Sequence, residues 1–175
     1  LPVRLFKNFD LLSVDKKKVT KTLNSSGTTG NKTSKIYLDS YNSLNQVKTL
    51  QKIMHHLIGN ERLPMLIVDQ DVKKINRSNF NARIAAINGF SIFGKNYTYL
   101  LDANGEINYE LLNTFLKKYG NKKFLIFGFT SLIYQNLLNK ISNKKINLDF
   151  KNGVLIHGGG WKKISNLKIS NKKFK

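Results

Sequence analysis

The chain has no cysteine, which excludes disulfides, thiolate metal sites and a cysteine nucleophile within it. It has two prolines, Pro2 and Pro64, and no Pro-rich or Ser-rich linker, so nothing in the composition cuts the 175 residues into separate domains. No run approaches the roughly 18 to 20 apolar residues that a membrane span needs. The opening LPVRLFKNF lacks the layout of a signal peptide, and a cytoplasmic location is the expectation. Two common nucleotide-binding loops are missing, since there is neither a GxxxxGK[ST] phosphate loop nor a GxGxxG fingerprint. Acidic residues are scarce, ten against thirty Lys and Arg, for a net charge of +20. A pI near 10.1 raises nucleic acid as a partner. Only four of the thirty basic residues are Arg, however, and the lysines are scattered from end to end among Asn and Ile. Base recognition favours the Arg fork, so the pattern reads as a compositional bias on a solvated surface, and nucleic acid is disfavoured.

What remains is globular. The chain is 41% hydrophobic and 11% aromatic, long enough for one domain with a core. Short strands are expected at Val3–Phe6, Val19–Leu23 and Lys35–Leu38. From Ser40 to Ile58, apolar Leu44, Val47, Leu50, Ile53, Met54, Leu57 and Ile58 recur at helical spacing, with Ser40 as cap and Gly59 as stop. The compact runs Pro64–Val68, Lys123–Phe127 and Val154–His157 read as buried strands, and Tyr97–Leu101 as another. Helices are expected at Phe80–Ile92, Ile107–Tyr119 and Leu132–Ile141. Alternation of this kind predicts an α/β fold, layered, with a largely parallel sheet and flanking helices. The chain does not begin with Met and ends within SNLKISNKKFK. The expectation is therefore a fragment, residues 1–175 forming a single α/β domain piece with N- and C-terminal parts missing.

In such sheets ligands bind beyond the carboxyl ends of the strands. The first loop of interest is Ser25, Ser26, Gly27, Thr28, Thr29, Gly30, with Lys32 and Lys35 behind it. Glycines let the backbone turn and approach a ligand closely, successive N–H groups form an anion-binding concavity, and hydroxyls and ammonium groups add donors. This suits a polyphosphate; it also suits a plain Ser/Thr/Gly connection between strands. The second is Gly128-Phe129-Thr130-Ser131, after KFLIF. The third is Gly158-Gly159-Gly160-Trp161, after VLIH, followed by Lys162 and Lys163. Three glycines at a strand end remove every side chain, so a flat ring can lie on bare backbone with Trp161 to stack or pack. A tight turn with Trp161 in the core is the alternative. His157 reads as a strand-end packing residue, since no carboxylate partner is near it in sequence.

Together these segments resemble one family. SSGTTG at Ser25–Gly30 resembles the phosphate loop of adenylate-forming, acyl-activating enzymes. Then come NARIAAINGFSIFG (Asn81–Gly94), FGFTSLIYQ (Phe127–Gln135) and NGVLIHGGGWKK (Asn152–Lys163), in the order and approximate spacing of the LuxE-type acyl-protein synthetases. These are the fatty-acid-activating subunits of bacterial bioluminescence reductase complexes. The likeness covers nearly the whole chain, including VRLFKNFD and LPMLIVDQD, and implies part of the large N-terminal domain of an adenylate-forming enzyme.

The resemblance implies ATP and Mg²⁺ as cofactors and a carboxylic acid, a fatty acid, as substrate. It also implies an acyl-adenylate with release of pyrophosphate, then transfer to a thiol of a partner reductase or carrier protein. By it, Ser25–Gly30 and Lys35 hold the β- and γ-phosphates, Gly158, Gly159 and Gly160 line the adenine and acyl pocket, and Gly128, Phe129, Thr130 and Trp161 lie near the substrate. Such chemistry needs positioning and charge neutralisation more than acid–base groups, so the lack of an evident triad does not count against it. Three features depart from the family pattern. Its loop continues with Pro-Lys where Lys32-Thr33 stands here. Its late acyl-carrying cysteine is missing, and no aromatic-Gly-x-Thr-Glu segment, ribose-binding Asp or C-terminal catalytic Lys is identifiable before Lys175. The polypeptide alone is therefore expected to be weak or inactive. A non-catalytic relative that binds nucleotide or acyl groups stays open as an alternative, as does a basic nucleic-acid module. Arg83 can neutralise a carboxylate or phosphate, or snorkel from a helix. Asp69 and Asp71 read as a solvated turn rather than a Mg²⁺ site. His55 and His56 are adjacent on a helix, which does not suit a metal pair.

Overall fold

A computed structural model describes residues 2, 4–24, 33–71, 82–144, 148–161 and 169. The chain divides into two compact units, Leu1–Gly59 and Asn60–Lys175, each described by itself below.

The first unit holds a short helix α1 (Leu5–Asn8), a 3₁₀ turn (Lys16–Lys18), strands β1 (Val19–Asn24) and β2 (Lys35–Asp39), and helix α2 (Ser40–Ile58). The strand expected at Val3–Phe6 is not formed. Leu5 and Phe6 lie in the helical turn instead, and Val3 is outside the described residues. The turn is closed locally, Leu5 donating its N–H to Pro2 O at 3.0 Å and Phe9 to Leu5 O at 2.9 Å. The strands β1 and β2 pair antiparallel as a two-stranded sheet of their own, from Val19 opposite Asp39 to Asn24 opposite Lys35. Helix α2 covers the expected span, but its cap is Asp39 rather than Ser40. The Asp39 carboxylate accepts the Asn42 N–H at 2.8 Å. Gly59 ends the helix in the left-handed region, φ +86°, as its sequence position predicts. Met54 and Ile58 are buried, whereas Leu44, Val47, Ile53 and Leu57 are exposed.

The second unit is built on four parallel strands: β3 (Leu63–Gln70), β4 (Gly94–Leu101), β5 (Phe124–Phe129) and β6 (Gly153–Gly158). Their spatial order is β4-β3-β5-β6. Helix α3 (Ala82–Phe90) links β3 to β4, and α4 (Tyr109–Tyr119) links β4 to β5. A composite helix links β5 to β6: α5 (Thr130–Leu132), a π-helical segment (Ile133–Leu138) and α6 (Asn139–Lys144). The fold is thus α/β with a parallel sheet flanked by helices, as the alternation predicts. The chain moves outward from β3 to β4, then returns past β3 to lay β5 and β6 on the other side. Right-handed crossovers then place α3 on one face and the later helices on the other.

Packing follows that division. Leu66 and Val68 of β3, Leu100 of β4, and Phe124 and Ile126 of β5 form one cluster with Leu112 and Phe115 of α4 and Ile133 and Leu137 of the π segment. Their alternates Met65, Ile67, Leu125 and Phe127 face the other way, where Phe90 of α3 stacks on Phe127 with centroids 4.5 Å apart. Strands covered on both faces read as unbroken apolar runs, which is why MLIV and FLIF stand out in the sequence. Each such side chain contributes about 1.5–3 kcal/mol of burial.

Candidate functional site

The order β4-β3-β5-β6 reverses direction between β3 and β5, and ligands in open α/β sheets bind beyond the carboxyl ends at such a reversal. Here the register sets Val68 beside Gly128, Gly128 beside His157, and Phe129 beside Gly158. Three of the segments singled out in the sequence, LIVDQ, GFT and HGGG, therefore end side by side.

The second expected loop is not a loop. Gly128 and Phe129 complete β5, and Thr130 opens the helix directly. The packing is close: a Cβ on Gly128 would stand 3.0 Å from Ile133 Cγ1 and 3.1 Å from Val68 Cβ, so glycine lets the following helix close onto the strand without displacing either side chain. Thr130 is buried, and its hydroxyl donates to Gly158 O at 2.9 Å, with Gly159 O at 3.5 Å. The same oxygen lies 2.9 Å from His157 Nδ1. With its single proton directed at Gly158 O, the hydroxyl can only accept from the ring, which assigns His157 the Nδ1–H tautomer. Thr130 thus fastens the end of β6 to the head of the helix.

Within the triple glycine the three positions differ. Gly159 has φ +75°, and a Cβ there would lie 2.8 Å from Phe129 Cδ1, so the turn itself requires glycine. At Gly158 and Gly160 an added Cβ would meet nothing within 4 Å, and neither has a positive φ. The protein's own packing among the described residues gives no reason for bare backbone at those two positions. Trp161 is half-buried, its ring edge-on to Tyr134 of the π segment with centroids 5.6 Å apart.

Asp69 departs from its reading as a solvated turn. It lies inside β3, buried on the α3 face, and its Oδ1 accepts the Gln70 N–H at 2.7 Å. Its Oδ2 is 3.2 Å from Arg83 Nε yet accepts no hydrogen bond from the described residues. Burial pushes the carboxyl pKa up, against the downward pull of the Gln70 N–H and of Arg83. The signal was in the alternation: if Leu66 and Val68 share one face, Ile67 and Asp69 must share the other.

In the first unit, Ser25, Ser26, Gly27, Thr28, Thr29 and Gly30 lie outside the described residues. Lys35 Nζ lies 3.5 Å from Asp10 Oδ1, which also accepts the Tyr37 hydroxyl at 2.5 Å. That hydroxyl, and then the lysine, hold Asp10 below the usual carboxylate range.

A cavity of about 620 Å³ runs along β4, lined by Gln70, Asp71, Tyr97, Tyr99, Asp102 and Asn108 among others. It contains none of the site residues expected from sequence. The Gln70 side-chain amide, part of its lining, donates to Asp102 O at 3.0 Å and Ala103 O at 2.8 Å. Among the described residues no helix is long and apolar enough to cross a membrane.

No curated protein and no solved structure matches the chain. One family model does, over residues 1–175, and its description is acyl-protein synthetase, LuxE. The motifs at the carboxyl edge and the family match agree, and the chain belongs to the LuxE family of acyl-protein synthetases.

Proposed function

We propose that the protein activates a carboxylic acid, a long-chain fatty acid, with ATP and passes the acyl group to a protein thiol. A carboxylate oxygen attacks the α-phosphorus, the bond to the β-phosphate oxygen breaks and pyrophosphate leaves. A thiolate then attacks the acyl carbon and AMP leaves. The observation that carries this reading is the pair Gly158 and Gly160, bare backbone at the carboxyl end of β6 for which packing among the described residues gives no reason. A flat adenine ring against that backbone is the close approach that glycine permits. Phe129, one strand over and in contact distance of Gly159, walls the same edge.

Ser25–Gly30 and Lys35 are assigned to the phosphates by the family resemblance and by their donor chemistry. Mg²⁺ bound with the triphosphate at Ser25–Gly30 would supply charge neutralisation for the leaving pyrophosphate. Among the described residues no group of three or more His, Cys, Asp or Glu forms a cage of its own. Thr130 acts at one remove, fixing the glycine turn that receives the base. The 175 residues contain no cysteine, so the acceptor is a thiol outside them or on a partner reductase or carrier protein.

The test is acid-dependent ATP–pyrophosphate exchange by the full-length protein, with fatty acids of graded length, beside the 175-residue chain. Exchange that depends on the acid and disappears when Thr28 and Thr29 are both replaced by Ala supports the reading. ATP binding with no exchange for any acid favours a non-catalytic relative.

A further inference from the structure

Asp10 reaches β2 from the segment that follows α1, and its Oδ1 meets two side chains there. The Tyr37 hydroxyl donates to it at 2.5 Å, and Lys35 Nζ lies 3.5 Å away. Lys35 and Tyr37 are two apart on β2, so they share the face opposite buried Leu38. A hydroxyl-to-carboxylate bond this short is a strong one, and it fixes the oxygen. A close ammonium–carboxylate bond runs about 2.7–2.9 Å, so Lys35 is drawn to Asp10 without being clamped by it.

Stability gives little reason for this arrangement. The Lys35 side chain is 48% exposed and the Asp10 side chain 54%, and exposed pairs contribute little. Carboxylates are also scarce here, ten against thirty basic residues. Lys151 and Asp149 pair as near neighbours in sequence, but Asp10 meets a strand whose Tyr37 lies 27 residues further on. Lys35 is the backbone partner of Asn24, the residue that precedes Ser25. A lysine left alone samples many rotamers, and immobilising it when a ligand binds costs affinity. A fixed carboxylate narrows that sampling beforehand. Its own repulsion of a phosphate acts through water and salt, whereas the ammonium touches the phosphate directly, so the gain in order outweighs the repulsion.

We propose that Asp10, fixed by the Tyr37 hydroxyl, is a positioning residue that holds the Lys35 ammonium ready for the phosphates of ATP. This rests on the assignment of Lys35 to the phosphates above, and names the two side chains that order it.

The test uses the full-length protein with Lys35→Gln, Asp10→Asn, Tyr37→Phe and the double variant Asp10→Asn/Lys35→Gln. ATP affinity is measured by calorimetry without the acid, Tm by scanning fluorimetry, and KM for ATP and for tetradecanoate by exchange. Lys35→Gln should lower ATP affinity by about 10-fold to 150-fold, the loss of a charge-assisted hydrogen bond. Asp10→Asn and Tyr37→Phe should each lower it by about 2-fold to 10-fold, the cost of ordering one long side chain, with KM for tetradecanoate unchanged. In the double variant the Asp10 change should add nothing to the loss from Lys35→Gln. An equal further loss there, alongside a lower Tm, would make Asp10 a staple of the N-terminal segment and overturn the proposal. Tighter ATP binding by Asp10→Asn would overturn it too, since Asp10 would then compete for the lysine. Lys35→Gln that binds ATP like wild type while exchange persists would overturn the proposal and leave the activation reading standing. Wild type that binds ATP through Lys35 but shows no acid-dependent exchange would do the reverse. Wild type that binds no ATP would overturn both.

Discussion

The three consecutive glycines give the sharpest separation of folding from binding. Gly159 sits at φ +75°, where a side chain costs roughly 1–2 kcal/mol in backbone strain. A Cβ there would also press on Phe129 Cδ1 at 2.8 Å. At roughly 2–4 °C per kcal/mol for a chain of this size, Gly159→Ala should lower Tm by several degrees. Gly158→Ala and Gly160→Ala should do the reverse. Their backbones are not left-handed and a Cβ meets nothing within 4 Å, so the loss of unfolded-state freedom should stabilise each by about 0.4–1 kcal/mol. If an adenine ring lies on this backbone, each new methyl displaces it, and ATP affinity should fall by about tenfold, or about 1.4 kcal/mol. Differential scanning fluorimetry gives the first quantity and calorimetric titration with ATP the second. Stable Gly158→Ala and Gly160→Ala proteins that bind ATP like wild type would remove the ground for placing the nucleotide there.

Replacing Thr130 by Val keeps its shape and removes the bond to Gly158 O, so ATP KM should rise with modest loss of Tm, while Thr130→Ser should restore it; steady-state kinetics decides. Gly128→Ala pushes a methyl to 3.0 Å from Ile133 and 3.1 Å from Val68, and overpacking of that kind should cost about 1–3 kcal/mol in urea unfolding. Asp39→Ala removes the carboxylate that caps α2 and should cost about 1 kcal/mol by the same measurement. Asp69 has a folded pKa raised by burial, so its contribution to stability is present below the ordinary value of 3.8 and is lost as pH rises through the folded pKa. Asp10 and Asp149 are lowered and act in the opposite sense, so the comparison must be wild type minus Asp69→Asn, whose difference should widen from acid toward neutral pH.

Most of the fold was legible because its signals are non-local only in a weak sense. A strand covered on both faces announces itself as MLIV or FLIF, and α2 announces its end through Gly59, though its cap is Asp39 and not the expected Ser40. What misled was local composition standing in for context. VRLF looks extended, but Pro2 O captures the Leu5 N–H and a helical turn results. GFTS looks like a loop because glycine and hydroxyl residues usually mean one; here the glycine exists so that Ile133 can reach the strand. Asp69 and Asp71 look like one solvated turn, yet β3 runs on to Gln70, so Asp69 belongs to the strand and Asp71 lies beyond its end. Neither the Thr130–His157–Gly158 link nor the Asp69–Arg83 pair could be read, since the first depends on β-sheet register and the second on how α3 packs against β3.

That last point bears on how such a site works. Along the carboxyl edge the strand ends are tied to one another by side chains. The Thr130 hydroxyl holds Gly158 O, and the Gln70 amide holds Asp102 O and Ala103 O. Each bond satisfies a backbone carbonyl at or just beyond the end of a strand, where the ladder can no longer do so. The consequence is a ridge of fixed dipoles that need not rearrange when a ligand arrives, and preorganisation of that kind is what charge-stabilised transfer reactions require. It follows that cutting one tie should act on turnover through geometry rather than through the cut group's own chemistry. Gln70→Leu, 32 residues from its acceptor Asp102, should therefore change kcat less than Thr130→Val does, because its tie faces the β4 cavity and not the glycine turn. Equal losses from the two would show that the whole edge, and not the β5–β6 junction, carries the site.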